Sequence, residues 1–168
     1  MGKVCAFTGH RPQSLPFRFN ESDVRCISLK KELKKLIEYV ITAEGVTHFI
    51  SGMAIGIDTF ASEIILDLKT KYPDITLEGA IPCEEQNAKW SFAQKERYQR
   101  IIEQLDKKTV IEPHYTPWCM HKRNRYMIDS SDVLIAVWDG VSGGTGKTVK
   151  YAFSKNITIY NINPNTVK

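Results

Sequence analysis

The sequence predicts an α/β domain, a three-layer sandwich around a mainly parallel, doubly wound sheet. Three observations predict it. Short apolar, β-branched runs alternate with helical segments from one end of the chain to the other. The linkers between them are short and leave no place for a domain boundary, so residues 1–168 read as one domain. Glycine-bearing loops recur directly after strands, without any internal repeat or low-complexity segment.

The first strand is Lys3-Val4-Cys5-Ala6-Phe7-Thr8, stopped at Gly9-His10-Arg11-Pro12, where glycine allows a tight turn and proline removes a ladder donor. Leu15, Pro16 and Phe17 make an irregular loop. Leu29, Leu33, Leu36, Ile37, Val40 and Ile41 then recur at helical spacing, with Lys30, Lys31, Lys34, Lys35 and Glu38 on the water face and Gly45 as the stop. Residues 47–51 form the second strand, broken by Gly52-Met53-Ala54-Ile55-Gly56-Ile57-Asp58. Asp58 is expected to N-cap a helix that carries Phe60, Ala61, Ile64, Ile65 and Leu68 and that Pro73 closes. Residues 75–81 are a third strand, halted by Pro82, and residues 86–90 a polar-aromatic loop before a helix around Tyr98, Ile101, Ile102 and Leu105. Residues 108–111 give a fourth strand. Residues 113–118 are too proline-rich for regular structure, 120–129 read as a short helix, and 133–137 as the fifth strand. After the glycine-dense stretch 138–148, a helix from Thr145 to Ser154 and a strand over 157–162 close the chain.

Composition narrows the chemistry. At 168 residues and 42% hydrophobic content the chain can bury a core without staples. Its net charge of +4 is modest and its lysines are scattered, which favours small anionic molecules and makes nucleic acid a disfavoured partner. Cys5, Cys26, Cys83 and Cys119 have neither CxxC pairing nor histidine at ligand spacing, so no metal site is expected. No apolar stretch reaches membrane-spanning length, and a reducing cytoplasm is the expected compartment, with self-association left open.

In an open α/β sheet, ligands bind outside the carboxyl ends of the strands. The candidate residues sit there: Thr8, Gly9, His10 and Arg11 after the first strand; Ser51, Gly52, Met53, Ala54, Gly56 and Asp58 after the second; Gln86 and Trp90 after the third. Arg123 and Asn124 precede the fifth strand, and Asp139, Gly140, Gly143, Gly144, Thr145 and Thr148 follow it. Bare glycine backbone at a helix start turns amides and the positive dipole end toward one point, a cradle for phosphate. Arg123 reads either as a bidentate phosphate clamp or as part of a solvated helix face with Lys122 and Arg125. Asp139 either holds a ribose hydroxyl or caps its own loop, and Trp90 either stacks a base or packs. Of the four histidines only His10 lies in a candidate loop, and none has an evident partner in the sequence. Gly146-Lys147-Thr148 imitates the end of a P-loop, but that motif needs glycine where Val141 stands. No GxGxxG follows the first strand, so an ordinary nicotinamide dehydrogenase is not expected.

Ala6-Phe7-Thr8-Gly9-His10-Arg11-Pro12, Ser51 to Asp58, Ala80-Ile81-Pro82 with Gln86 and Trp90, and Gly143-Gly144-Thr145 to Val149 together resemble the YpsA-like branch of the SLOG superfamily. The resemblance covers nearly the whole chain. It implies a Rossmann-like fold that binds nucleotides or nucleotide-derived ligands, with AMP, ADP-ribose and NAD as candidates and no obligatory cofactor, in a bacterial-type regulator. The superfamily also holds the LOG phosphoribohydrolases and the single-stranded-DNA-binding DprA proteins, which stand as alternatives. Met120-His121-Lys122-Arg123-Asn124 is similar to the LOG motif Met-His-x-Arg-Lys, with Arg123 at the catalytic arginine. The second LOG motif, Pro-Gly-Gly-x-Gly-Thr-x-x-Glu, departs: with Thr145 on its threonine, Thr148 replaces the glutamate and Asp139 is nearest to the proline. The weak catalytic candidates are therefore Arg123 and Asp139, and binding or sensing ranks above hydrolysis.

Overall fold

The computed structural model describes residues 2–168. Six strands form one sheet: β1 Lys3–Gly9, β2 Val46–Ser51, β3 Thr76–Ile81, β4 Lys107–Val110, β5 Val133–Val137 and β6 Thr158–Ile162. The helices between them are α1 Val24–Thr42, α2 Ile57–Leu68, α3 Phe92–Ile102, α4 Cys119–Asp129 and α5 Gly144–Ser154. The strand order is β4-β3-β2-β1-β5-β6 and every neighbouring pair is parallel. The chain thus winds outward from β1 in one direction, then crosses back to β5 and winds the other way. The doubly wound expectation holds, and the sheet is wholly parallel.

Side-chain alternation on the strands builds two cores. Cys5 and Phe7 on β1, Phe49 on β2, Leu77 on β3 and Val133, Ile135 and Val137 on β5 face α1 and α2. The intervening Ala6, Ile50, Ala80, Leu134 and Ala136 face α4 and α5, against Met127, Ile128 and Ala152. Both faces of the sheet are covered, which is why its central strands read as unbroken apolar runs. Ile101 carries α3 onto Ile81 and Met53 in a smaller cluster beside β3.

Two elements begin where the sequence pattern did not place them. Asp23 caps α1 by accepting from the Arg25 amide, so the helix starts at Val24, ahead of its apolar stripe. Asp58 is not an N-cap. Gly56 takes that position with φ of 99°, a left-handed turn that brings the chain into α2 earlier, and Asp58 lies inside the first helical turn. The loop before α3 contains a short 3-10 turn, Glu84–Asn87, and ends in a capping box between Ser91 and Gln94. One carboxylate is buried in the framework: Glu78 of β3 accepts from His48 (2.8 Å), Thr109 (2.7 Å) and Tyr126 (2.5 Å), tying β2, β4 and α4 together. Burial alone would raise its pKa, but those hydrogen bonds outweigh it and hold the group down to about 2.

Candidate functional site

Winding reverses between β1 and β5, and a cleft of about 460 Å³ opens at their carboxyl ends. Gly9 and Val137 are in register, and the His10 amide continues the ladder to the Val137 carbonyl. The two chains leaving these strands therefore run side by side. His10 Nε2 meets Asp139 Oδ1 at 2.8 Å across 129 residues of sequence. Asp139 Oδ1 also accepts from the Val141 amide at 3.0 Å. That amide first, and His10 after it, hold the Asp139 carboxyl below the usual carboxylate range. The histidine that had no partner in the sequence has one in the fold, and Oδ2 of Asp139 is left without a partner among the described residues.

The loop after Asp139 is pinned by Trp138, whose Nε1 donates to the Val141 carbonyl at 2.8 Å. It delivers the chain to α5 with Gly143 at the N-cap and no side chain capping the helix. The first amides of α5 thus keep their donors for another acceptor. Gly143, Gly144 and Thr145 line the cleft here.

Arg123 enters from α4 and is only 4% exposed. Its Nη1 donates to the Gly52 carbonyl (2.5 Å) and Gln86 Oε1 (3.1 Å), and its Nε donates to Asn124 Oδ1 (3.0 Å). Nη2 has no acceptor among the described residues, and Arg123 is one of the residues that line the cleft. Burial depresses the guanidinium pKa, and the nearby Asp58 carboxylate opposes that. Asp58 shows the converse: burial raises its pKa while Arg123 and the Ala54 amide, 3.2 Å from Oδ2, pull it down. Gly52 lies between the two groups, where a Cβ would fall 2.8 Å from Asp58 Oδ2 and 3.0 Å from Arg123 Cζ. Only glycine lets β2 end this close to both.

The cleft therefore brings together Thr8, Gly9, His10, Arg11, Ala54, Asp58, Arg123, Asn124, Asp139, Gly143, Gly144 and Thr145. The remaining predicted residues lie behind it or elsewhere. Ser51 accepts from the Met53 amide at 3.1 Å and shapes the loop, while Met53 itself packs with Ile81 and Ile101. Gln86 ties the Met53 carbonyl to Arg123. Gly56 and Gly140 turn the chain with positive φ. Trp90 meets Tyr98 edge-on at 5.3 Å in a separate recess of about 60 Å³. Thr148 is buried and returns its hydroxyl to the Gly144 carbonyl at 3.1 Å. Ser14, Ile55, Val141 and Ser142 also line the cleft. The last three lie inside the glycine loops already recognised, but nothing in the sequence marks Ser14. Among the described residues no group of three or more His, Cys, Asp or Glu is arranged to hold a metal ion, and no helix is long and apolar enough to cross a membrane.

A parallel, doubly wound sheet with a polar cleft at its reversal point defines a Rossmann-like domain. The chain belongs to the YpsA family of SLOG proteins: the model described as the YspA SLOG family matches residues 5–167. It is 39% identical over 138 residues to the uncharacterized SPbeta prophage-derived protein YoqJ of Bacillus subtilis, covering 75% of this chain and 81% of that protein. It is 30% identical over 148 residues to the UPF0398 protein YpsA of the same organism, covering 86% and 81%. Among solved structures, DNA processing protein A from Streptococcus pneumoniae superposes with a TM-score of 0.64 at 18% identity, over 96% of this chain and 50% of that one. The Helicobacter pylori protein, whose structure is titled for its single-stranded DNA binding mode, gives 0.63 at 18%, over 96% and 66%. This chain thus spans half to two thirds of those proteins.

The H. pylori protein overturns one expectation. Nucleic acid cannot be set aside as a partner on modest net charge, because a protein of this fold binds single-stranded DNA. Net charge averages over the whole surface, whereas a strand meets only one face of it.

Proposed function

We propose that this chain binds a nucleotide or nucleotide-derived ligand in the β1–β5 cleft and serves as a sensor or regulatory protein. Arg123 carries the reading. A guanidinium that is 4% exposed is costly to bury, and in this cleft-lining residue Nε and Nη1 are committed to the protein while Nη2 has no acceptor among the described residues. Such a group is stabilised by an anion delivered from outside. The uncapped start of α5 supports the same anion with amides of Gly143, Gly144 and Thr145, and Arg11 stands at the rim. The free oxygen of Asp139 then accepts from a ribose hydroxyl, with His10 behind the carboxylate. AMP, ADP-ribose and NAD are the first ligands to try. Calorimetry with each is expected to show saturable heat for at least one; no heat with any of them rejects the proposal.

The fold shared with the H. pylori DNA-binding protein favours a second reading, in which the cleft takes a nucleotide of single-stranded DNA. Gel retardation of an oligonucleotide across a salt series separates this from a free nucleotide, since phosphate contacts weaken steeply with salt.

A further inference from the structure

A second, more open cavity of about 620 Å³ runs between α4 and α5. Met120, His121 and Arg125 line it from α4, and Lys147, Lys150 and Tyr151 from α5. It holds three permanent cations and no carboxylate. Arg125, Lys147 and Lys150 form no ion pair with any described residue, whereas neighbouring Lys122 and Lys155 are paired with Glu112 and Asp129. Cations facing one groove from both helices, with no carboxylate among its lining residues, build a positive potential there. The cleft differs: its Arg11 and Arg123 are balanced by Asp58 and Asp139.

The two cavities adjoin. Asn124 and Gly144 line both, and Arg11, at the rim of the cleft, reaches Met120 Sδ in the groove at 3.8 Å. Aromatic surface lies along the same path. The Tyr151 ring sits beneath the Arg125 guanidinium at 4.7 Å, and Trp118, next to Pro117 in the groove wall, is 67% exposed. Unpaired cations interleaved with aromatic rings are the chemistry that holds a phosphodiester chain and its bases.

Resting on the nucleotide reading of the cleft, we infer that the α4–α5 groove receives the second nucleotide of a phosphodiester-linked ligand whose first nucleotide occupies the cleft. Its phosphate lies against Arg125, Lys147 and Lys150, and its base against Tyr151 or Trp118. A dinucleotide and a longer single strand share this chemistry, and ligand length tells them apart.

The test titrates AMP, pApA and oligoadenylates of increasing length, in ribo and deoxy forms, against the wild type and the triple variant Arg125→Ala, Lys147→Ala, Lys150→Ala at two salt concentrations. The expected result is pApA binding at least about tenfold tighter than AMP, with that gain and its salt dependence lost in the triple variant while AMP affinity stays within about twofold. Affinity that stops rising at two units assigns a dinucleotide; affinity that continues to rise assigns a single strand. The inference falls if AMP binds and pApA binds no tighter, or if the triple variant keeps the gain, and in both cases the cleft reading survives. If neither AMP nor any longer ligand binds, both fall. A triple variant that alters only the oligomeric state by light scattering overturns the inference in favour of a protein interface.

Discussion

Arg123→Ala separates the anion reading from a purely structural role for this guanidinium. Its Nε and Nη1 protons are committed to Asn124, Gly52 and Gln86, so a ligand anion gains one charge-assisted contact, through Nη2. Such a bond contributes about 1.5–3 kcal/mol, or about 10- to 150-fold in Kd. The same substitution leaves the Gly52 carbonyl and Gln86 Oε1 without their donor, at about 1–3 kcal/mol, partly offset because a desolvated charge is removed. A net loss of about 2 kcal/mol in urea unfolding is expected. Arg123→Lys keeps the charge but not the planar fork, and should recover part of the affinity. Calorimetry with AMP on all three proteins, each checked for folding by circular dichroism, reads the binding term. A folded Arg123→Ala protein that binds AMP within about twofold of wild type refutes the anion role.

Gly52→Ala is expected to cost about 1–3 kcal/mol of stability, because its Cβ would lie 2.8 Å from Asp58 Oδ2 and 3.0 Å from Arg123 Cζ; a neutral effect in urea unfolding would mean these groups move aside. Glu78 supplies a pH dependence. Its folded pKa of about 2 lies below the unfolded carboxylate value, so its contribution, of order 2 kcal/mol, is fully present above about pH 4.5 and is lost as pH falls toward 2. Glu78→Gln should flatten the stability profile in that acid window, and an unchanged profile would remove Glu78 as the cause. Asp139→Asn should weaken AMP binding about tenfold and abolish any preference for ribose over 2′-deoxyribose, without affecting binding of inorganic phosphate; a retained ribose preference assigns that hydroxyl to another group.

The strands were legible because both faces of the sheet are buried: each residue of β5 from Val133 to Val137 is inaccessible, so the run is unbroken and its ends are sharp. Helix starts were less so. Val24 and Ile27 are 74% and 43% exposed, outside the apolar stripe of α1, and only the Asp23 cap marks the first turn. Strand order is a long-range property that local periodicity does not carry. Without the knowledge that β5 lies beside β1, no pattern links His10 to Asp139 across 129 residues. The same limit made Trp90 a stacking candidate, though its ring faces Tyr98. It also hid the groove, since Arg125, Lys147 and Lys150 gather only when α4 and α5 pack side by side.

Thr148 looks, from the sequence, like the missing carboxylate of a glycosidic hydrolase. In the fold its hydroxyl turns back to Gly144, and the residue lines the cationic groove instead of the cleft. The carboxylates that line the cleft are Asp139 and Asp58, and their surroundings drive them apart, Asp139 toward the anion and Asp58 toward the neutral acid. A divergent pair of this kind is also how an acid and a base are set up. What weighs toward holding a ligand is commitment: Asp58 Oδ2 is bound to the Ala54 amide and Asp139 Oδ1 to Val141 and His10. With one oxygen of each carboxylate tied into the protein, the ionised Asp139 keeps its Oδ2 to accept from a ligand hydroxyl, the contact that the proposed ligand-binding role requires.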